Sequence, residues 1–427
     1  MVSQSNRIEL TSDARESVRI VSRLQEAGFI AYLAGGCVRD ALLNKTPKDY
    51  DVATNATPET VREVFGQSKT LAYGVSFGVI GVLPERRLRS RSLAHATEVA
   101  TFRSDGHYSD GRRPDSVHFG DPQQDALRRD FTINGLFYDP IAEKVIDFVD
   151  GQKDLADGIL RTIGDPNDRF GEDRLRMLRA IRFSATLGFA IDRSTESAIT
   201  QHAPAMVVVS EERIGAEMRR VMVSPFVMDG LRSLVRTQLA ANVLPPLLEI
   251  DFERLTAAVL ASGDHDFRYR LGAILALANE PQQSLKALTA RWRLSNEEVR
   301  SLSSSLRYAK ELLQFQNLPW SQTQPVVTDR DVDFILGLAI SLAALGTSSE
   351  KRESQESFRR VQEVLGWPEV QRNPPPLLTG DDLRNLGCIP GPAYARILKQ
   401  IRVLQLDGRL SSRDEAIDHA IEALGIR

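Results

Sequence analysis

Two aspartates separated by one residue, Asp49 and Asp51 in Thr46-Pro47-Lys48-Asp49-Tyr50-Asp51-Val52, follow a Gly35-Gly36 pair by one short helix length. Upstream, Ile30-Ala31-Tyr32-Leu33-Ala34 predicts a buried strand, and Cys37-Val38-Arg39-Asp40-Ala41-Leu42-Leu43 predicts a short helix. In a β-strand, side chains i and i+2 project from the same face, so an Asp-x-Asp strand aims two carboxylates at one spot. A hard cation such as Mg²⁺ takes its oxygen ligands from such a pair. A glycine turn opening a helix lets the backbone approach a ligand closely and offers free N–H groups to a phosphate. Strand, Gly-Gly, helix and Asp-x-Asp strand together place a triphosphate beside a metal. Either motif alone is usually a solvated turn; their order and spacing make the case.

Composition bounds the rest. A chain of 427 residues exceeds what one core organises, so about two to four domains are expected. Lys+Arg 54 against Asp+Glu 57 gives a formal charge of −3, so any nucleic-acid surface is a local patch. Cys37 and Cys388 imply neither a disulfide framework nor a zinc cluster, and a reducing cytoplasm fits. Met1 to Arg7 contains no apolar run, and nothing approaches about twenty uninterrupted apolar residues, so neither a leader nor a membrane span is expected.

Along the chain, Ser12 to Ala27 predicts an amphipathic helix with Val18, Val21 and Leu24 at helical spacing. Gly74 to Val82 and Glu98 to Phe102 are the clearest further strands, and Thr57-Pro58-Glu59 opens a helix by N-cap, N1 proline and acidic first turn. Arg103 to Pro114 is rich in Gly, Asp, Ser and Arg and predicts a mobile loop. From about residue 151 nearly every segment is helical in pattern. Candidate boundaries are Gly164-Asp165-Pro166, Leu244-Pro245-Pro246, Pro319 to Val327 and Asn373-Pro374-Pro375-Pro376.

Glu172 to Phe183 carries the sharpest inference. As one helix, it sets Glu172, Asp173, Arg176 and Arg179 within about a third of the circumference, with Arg182 at the edge of that arc. Met177, Leu178 and Ile181 fall opposite, so one face is buried and the other charged. A solvated face of intrahelical ion pairs is one reading. The other, which rests on a family resemblance and not on the spacing alone, is nucleobase selection. Cytosine and adenine present an amino donor beside a ring-nitrogen acceptor. An ionised Asp173 only accepts and Arg176 only donates, so the pair satisfies C and A and leaves unpaired groups against U and G.

Leu33-Ala34-Gly35-Gly36-Cys37-Val38-Arg39-Asp40 through Asp49-Tyr50-Asp51 resembles the first signature of the class II tRNA nucleotidyltransferase / bacterial poly(A) polymerase family. Arg128-Arg129-Asp130-Phe131-Thr132-Ile133-Asn134-Gly135 resembles the second, and Glu172 to Phe183 the nucleotide-selecting one. Ser210-Glu211-Glu212-Arg213-Ile214-Gly215 through Glu217 is similar to the last family motif. These segments stand in family order from about residue 30 to about residue 220.

The resemblance implies an α+β fold. A polymerase-β-type nucleotidyltransferase head with a mixed sheet would occupy 1–150, followed by an all-α neck (151–225), body (226–340) and tRNA-binding tail (341–427). It implies Asp49 and Asp51 as catalytic metal ligands for Mg²⁺, with Glu98 as candidate third carboxylate; a solvent-facing strand glutamate is the other reading of Glu98. Gly35, Gly36, Arg39, Arg129, Asp130, Asn134, Asp173, Arg176, Arg179 and Arg182 match nucleotide-binding positions. Arg39 could equally be a surface ion pair and Asp130 a structural cap. Gly135 stands where many relatives carry alanine.

A loop between Arg103 and Asp115 is associated in the family with the switch from C to A addition, which argues against a CC-only enzyme. The expected activity is template-independent addition of CMP and AMP to the tRNA 3′ end from CTP and ATP, with no membrane and no obligate protein partner. An A-adding enzyme of a split CC/A pair, a poly(A) polymerase and a catalytically silent RNA-binding relative are the alternatives. His265-Asp266 lacks the further spaced ligands of a phosphohydrolase and predicts a polar helix start. Leu378-Thr379-Gly380-Asp381-Asp382-Leu383 with Gly387 to Pro392 resembles the tail of the tRNA-adding branch, with Arg396, Lys399 and Arg402 as a candidate basic strip; a helical packing domain is the plain alternative.

Overall fold

The computed structural model describes residues 8–74, 77–84, 96–106, 115–385 and 391–424. The chain divides into two compact units, Met1–Val243 and Leu244–Arg427, and the division falls at the Leu244-Pro245-Pro246 segment.

In the first unit, α1 (Arg15–Glu26) continues a 3₁₀ turn at Ser12–Ala14 and buries Ser17, Ile20, Val21 and Leu24. Val18 sits at the edge of that stripe, only half-buried. β1 (Ala31–Ala34) leads through Gly35 into α2 (Gly36–Leu42), and β2 (Val52–Thr54) follows. α3 (Pro58–Phe65) is N-capped as its sequence predicts, the Thr57 hydroxyl accepting from the Thr60 N–H at 3.3 Å.

β3 (Thr70–Gly74) and β4 (Val79–Val82) pair antiparallel. The single strand expected over Gly74 to Val82 is therefore interrupted. Gly74 ends one strand, the φ of +76° at Gly78 bends the backbone, and Val79 starts the next. β5 (Thr97–Thr101) pairs parallel with β2. The expected loop also begins later than Arg103, because β6 (Arg103–Asp105) and β7 (Val117–Phe119) form a two-stranded antiparallel ribbon. Residues 107–114 of that segment lie outside the described residues.

α4 (Pro122–Leu127) opens on an Asp121/Gln124 capping box, and β8 (Phe137–Asp139) and β9 (Lys144–Ile146) complete a mixed seven-stranded sheet. Its order is β3-β4-β5-β2-β1-β8-β9. Leu33, Val52 and Val99 are fully buried on its central strands, and Tyr32, Phe102 and Phe137 pack together with ring centroids 5.7 to 6.2 Å apart.

The unit continues through α5 (Gly151–Asp157), β10 (Ile159–Leu160), α6 (Pro166–Glu172), α7 (Leu175–Leu187) and β11 (Ala190–Ile191), which pairs parallel with β10. α8 (Arg193–His202), α9 (Glu211–Met222), α10 (Val227–Arg236) and α11 (Ala240–Val243) follow. α7 packs on both α9 and α10. The approach to α10 depends on Gly230, where a Cβ would lie 2.8 Å from the Ala185 methyl. That packing holds the chain beyond residue 225 to the first unit.

The helix expected across Glu172 to Phe183 is two helices. α6 stops at Glu172, and Asp173 is extended (φ −145°, ψ 106°), with its carboxylate accepting from the Leu175 N–H at 3.0 Å to start α7. An aspartate can bond locally to the backbone, and here that bond competes with helix continuation.

The second unit is helical among the described residues: α12 (Phe252–Ala261), α13 (Phe267–Leu277), α14 (Pro281–Arg291), α15 (Asn296–Leu313), α16 (Trp320–Val327), α17 (Val332–Ala343), α18 (Ser348–Leu365), α19 (Glu369–Arg372), α20 (Gly380–Asn385), α21 (Pro392–Leu406) and α22 (Arg413–Leu424). Asp266 caps α13 by accepting from the Arg268 N–H at 2.9 Å, which is the polar helix start its sequence predicts.

Leu378, Leu383, Ile397, Ile401, Ala416 and Ala420 form a separate core around α20 to α22. Of the expected basic strip, Arg396 and Lys399 are exposed. Arg402 instead donates to the Pro374 carbonyl at 2.7 Å and to Asn373, so it serves packing within the unit. Residues 386–390, with Gly387 and Cys388, lie outside the described residues. Among the described residues no helix is long and apolar enough to cross a membrane.

Candidate active site

The turn after β1 admits only glycine. Gly35 has φ +71° and ψ −121°, and a Cβ there would lie 2.7 Å from the Arg129 Nη1. Gly36 starts α2, which is only 7 residues long, so attraction for an anion in this cleft comes chiefly from side chains. Arg39, on the outer face of α2, donates to Asp40 at 2.8 Å and to the Asn134 amide oxygen at 2.6 Å.

Asp49 and Asp51 stand immediately ahead of β2, not within it. Tyr50 between them is buried. Its carbonyl accepts from the Ser17 hydroxyl at 2.8 Å, and its own hydroxyl lies 3.0 Å from that of Thr11. The Ala34 N–H also donates to the Asp51 carbonyl at 3.0 Å. With Tyr50 turned inward, its two neighbours are left on the other side of an extended chain. Val52 pairs with Val99 in the parallel β2–β5 register, so Asp51 and Glu98 stand side by side on neighbouring strands.

Burial, then the charge of Asp49, then that of Glu98 push the Asp51 carboxyl up to about 6, with Arg129 opposing. Carboxylates crowded in this way are a donor set for a hard divalent cation. The chemistry of the donors fits, although no three acidic, histidine or cysteine side chains converge in a ligating arrangement among the described residues. Glu98 itself is exposed at the strand.

Opposite these carboxylates, Asp130 anchors a network. It is buried, accepts from the Phe131 N–H at 2.9 Å and the Asn134 amide at 3.0 Å, and binds Arg179 through Nε at 2.8 Å and Nη2 at 2.6 Å. Burial opposes its ionisation, but Arg179, Asn134 and the Phe131 amide outweigh burial and hold its carboxyl at about 2. Arg39, Asn134, Asp130 and Arg179 thus form one continuous chain of hydrogen bonds across the base of the cleft.

The Arg176 N–H donates to the Asp173 carbonyl at 3.0 Å, but the two side chains are paired elsewhere. Asp173 is gripped by both Nη atoms of Arg213, at 2.7 and 3.1 Å, while Arg176 pairs with Glu172 and is itself buried. Arg182 pairs with Glu217 and lies 3.9 Å from the centre of the Phe183 ring. Arg39 and Arg179 lie 5.1 and 5.4 Å from the same ring, so Phe183 faces three guanidinium groups.

These groups surround one cleft of about 790 Å³. Of the expected residues, Gly35, Gly36, Arg39, Asp49, Arg129, Asp130, Asn134, Asp173, Arg176, Arg179 and Arg182 all line it; Asp51 and Glu98 do not. Lys48, Arg103, Arg128, Arg213, Arg220 and Phe183 also line it and were not singled out from the sequence. Lys48, Arg103, Arg128, Phe183 and Arg213 lie inside segments quoted above, so a signal existed; Arg220 lies outside all of them and is gathered in only by folding. Ten lysine or arginine side chains face five aspartates there, which makes the cleft a positive site in a chain of net negative charge.

A mixed sheet carrying paired carboxylates beside an arginine-lined cleft defines a nucleotidyltransferase head. Residues 31–161 match the poly A polymerase head domain, and residues 188–250 match the probable RNA and SrmB-binding site of polymerase A. The chain is 32% identical over 418 residues to a CCA-adding enzyme of Streptococcus gordonii, covering 96% of this chain and 97% of that one. It is 33% identical over 422 residues to one of Lacticaseibacillus paracasei, covering 95% of each.

Among solved structures, the Bacillus stearothermophilus CCA-adding enzyme in complex with CTP matches with a TM-score of 0.70 at 26% identity, covering 97% of this chain and 98% of that one. The Thermotoga maritima CCA-adding enzyme complexed with tRNA_CCA shares the fold, with a TM-score of 0.61 at 20% identity, covering 95% and 94%. The chain belongs to the family of CCA-adding enzymes. It is a nucleotidyltransferase, and nucleotidyltransferases of this family use a divalent metal.

Proposed function

We propose that this protein builds and repairs the CCA end of tRNA, transferring CMP from CTP and AMP from ATP to the terminal 3′-hydroxyl without a template. The observation that carries this reading is a single cleft lined both by Asp49 and by Asp173 and Arg176 among further arginines. Its volume suits one nucleotide. Asp49 and Asp51 would hold Mg²⁺, with Glu98 beside Asp51. When bound, the metal supplies Lewis-acid activation of the attacking hydroxyl and charge neutralisation at the triphosphate.

The chain's own residues do the remainder. Arg39, Arg129 and Arg179 meet phosphate charge, and Asn134, fixed between Arg39 and Asp130, positions the ribose side. Asp173 Oδ2 accepts from Arg213 and keeps a lone pair for an amino group, so the cleft selects C and A over U and G.

We place the four working parts at 1–150 (head), 151–225 (neck), 226–340 (body) and 341–427 (tail), with residues 226–243 of the body packed on the first unit and tRNA gripped by the tail. A cytoplasmic setting suits the free, buried Cys37 thiol.

The test is incorporation by purified protein on tRNA ending before C, CC or A, supplied with CTP, ATP or both. Ordered addition of C, C and A, stopping there, supports the proposal. Addition of A alone points to an enzyme of a split pair, and an unlimited A tract to a poly(A) polymerase. No incorporation on any substrate overturns the proposal.

A further inference from the structure

Behind the arginine wall of the cleft lies a carboxylate with no place in the chemistry so far. Asp125, on α4, is 1% exposed and does not line the cleft. Its two oxygens are divided between two arginines that do. Oδ2 accepts from Arg129 through Nε at 3.1 Å and Nη2 at 2.9 Å. Oδ1 accepts from Arg128 through Nε at 2.8 Å and Nη2 at 2.6 Å. The arginines are three and four residues on, which is the spacing that lets one helical side chain meet both.

Each arginine has a further constraint. Arg129 donates Nη1 to the Asn134 carbonyl at 3.3 Å and lies 5.0 Å from the Phe137 ring centre, directly against the Gly35 turn. Arg128 also reaches Asp105 of β6 at 3.7 Å, and the Arg103 N–H reaches Asp125 Oδ1 at 3.4 Å.

A buried carboxylate is costly unless it is paired. Burial raises the Asp125 carboxyl, but Arg129 and Arg128 together bring it below the usual carboxylate range. It is charged and spoken for. What the arrangement achieves is geometric, because a guanidinium is a rigid fork and fixing one edge of it aims the other. Unsupported, two adjacent arginines at the rim of an open cleft would sample many rotamers, each lost on binding an anion.

We infer that Asp125 is a positioning residue that pre-aims Arg128 and Arg129 at the phosphates of the incoming nucleoside triphosphate. This rests on the cleft taking a nucleoside triphosphate, and the test separates the two claims.

CTP and CMP affinities are measured calorimetrically on full-length protein for wild type, Asp125→Asn, the double variant R128A/R129A and the triple combination. A charge-assisted hydrogen bond to phosphate that is no longer aimed is lost, so Asp125→Asn should weaken CTP binding about 10- to 100-fold. It should change CMP, which lacks the outer phosphates, far less. Because Asp125 acts through the two arginines, the triple variant should bind CTP no more weakly than R128A/R129A.

Equal loss for CMP and CTP, or a triple variant showing the full sum of both defects, would make Asp125 a structural residue and overturn the inference. If R128A/R129A weakens CTP while Asp125→Asn matches wild type, Asp125 alone is dismissed and the cleft assignment stands. If R128A/R129A binds CTP like wild type, the phosphate assignment of these arginines falls and takes the inference with it. Should Asp125→Asn not fold, Asp125→Glu keeps the charge on a displaced arm and must show the same selective loss for CTP over CMP.

Discussion

Replacing Asp130 by asparagine removes one charge from the centre of the hydrogen-bonded chain that spans the cleft. In the native state its carboxyl is held at about 2, against 3.8 for an ordinary aspartate. That difference corresponds to about 2.5 kcal/mol of stabilisation at neutral pH. Asparagine still accepts from the Phe131 N–H but turns an amide toward Arg179, whose side chain keeps 33% exposure and can recover some solvation. The expected cost at pH 7 is therefore about 2–3 kcal/mol, at the low end for breaking a buried pair.

The sign with pH is fixed. Because the folded-state value is depressed, the stabilisation is complete above the unfolded-state value near 4 and is lost as pH falls toward 2. By pH 3 about 1 kcal/mol has gone, and by pH 2 about 2 kcal/mol. The gap between wild type and Asp130→Asn should narrow accordingly.

All three tryptophans, Trp292, Trp320 and Trp367, lie in the second unit, so intrinsic fluorescence reports on the wrong region. Hydrogen–deuterium exchange of the 129–135 amides, corrected for intrinsic rates, is the suitable readout. A difference between the two proteins that stays constant from pH 6 to pH 3 would refute the ionised-pair account.

Asp49→Ala and Asp51→Ala should each lower nucleotide incorporation by several orders of magnitude while leaving circular dichroism and tRNA affinity nearly unchanged, because the carboxylates organise metal and not RNA; gel-shift and incorporation assays check both halves. Gly35→Ala forces an L-residue into φ +71° and a Cβ against Arg129, costing about 1–3 kcal/mol of strain and displacing the guanidinium; thermal unfolding and the KM for CTP should both worsen. Arg213→Ala should copy Asp173→Ala, since Arg213 holds both oxygens of that carboxylate. Each should cost about ten- to a hundredfold in kcat/KM for CTP and ATP and lower discrimination against UTP and GTP; uniform slowing of all four nucleotides would show that the pair is scaffold.

Local pattern determined a good deal. The order of the Gly-Gly turn, α2 and the Asp-x-Asp pair, the Thr57 cap of α3, and the helical second half were all legible, because each rests on neighbours within a few residues. The motif series named the family, and most of the named cleft residues do face one space. Pairing was not legible. Helical spacing set Asp173 beside Arg176, but Asp173 leaves the helix, and its ion-pair partner comes from α9, forty residues on. Arg176 falls on the charged face of the predicted helix, where a solvated ion pair is one reading, and is buried against Glu172. Periodicity gives the direction a side chain points on an ideal element, and a helix break or an arginine from another helix lies outside it. Which carboxylate holds which guanidinium is settled only when the sheet and the neck helices pack, and in this cleft that pairing decides which charges remain available to a ligand.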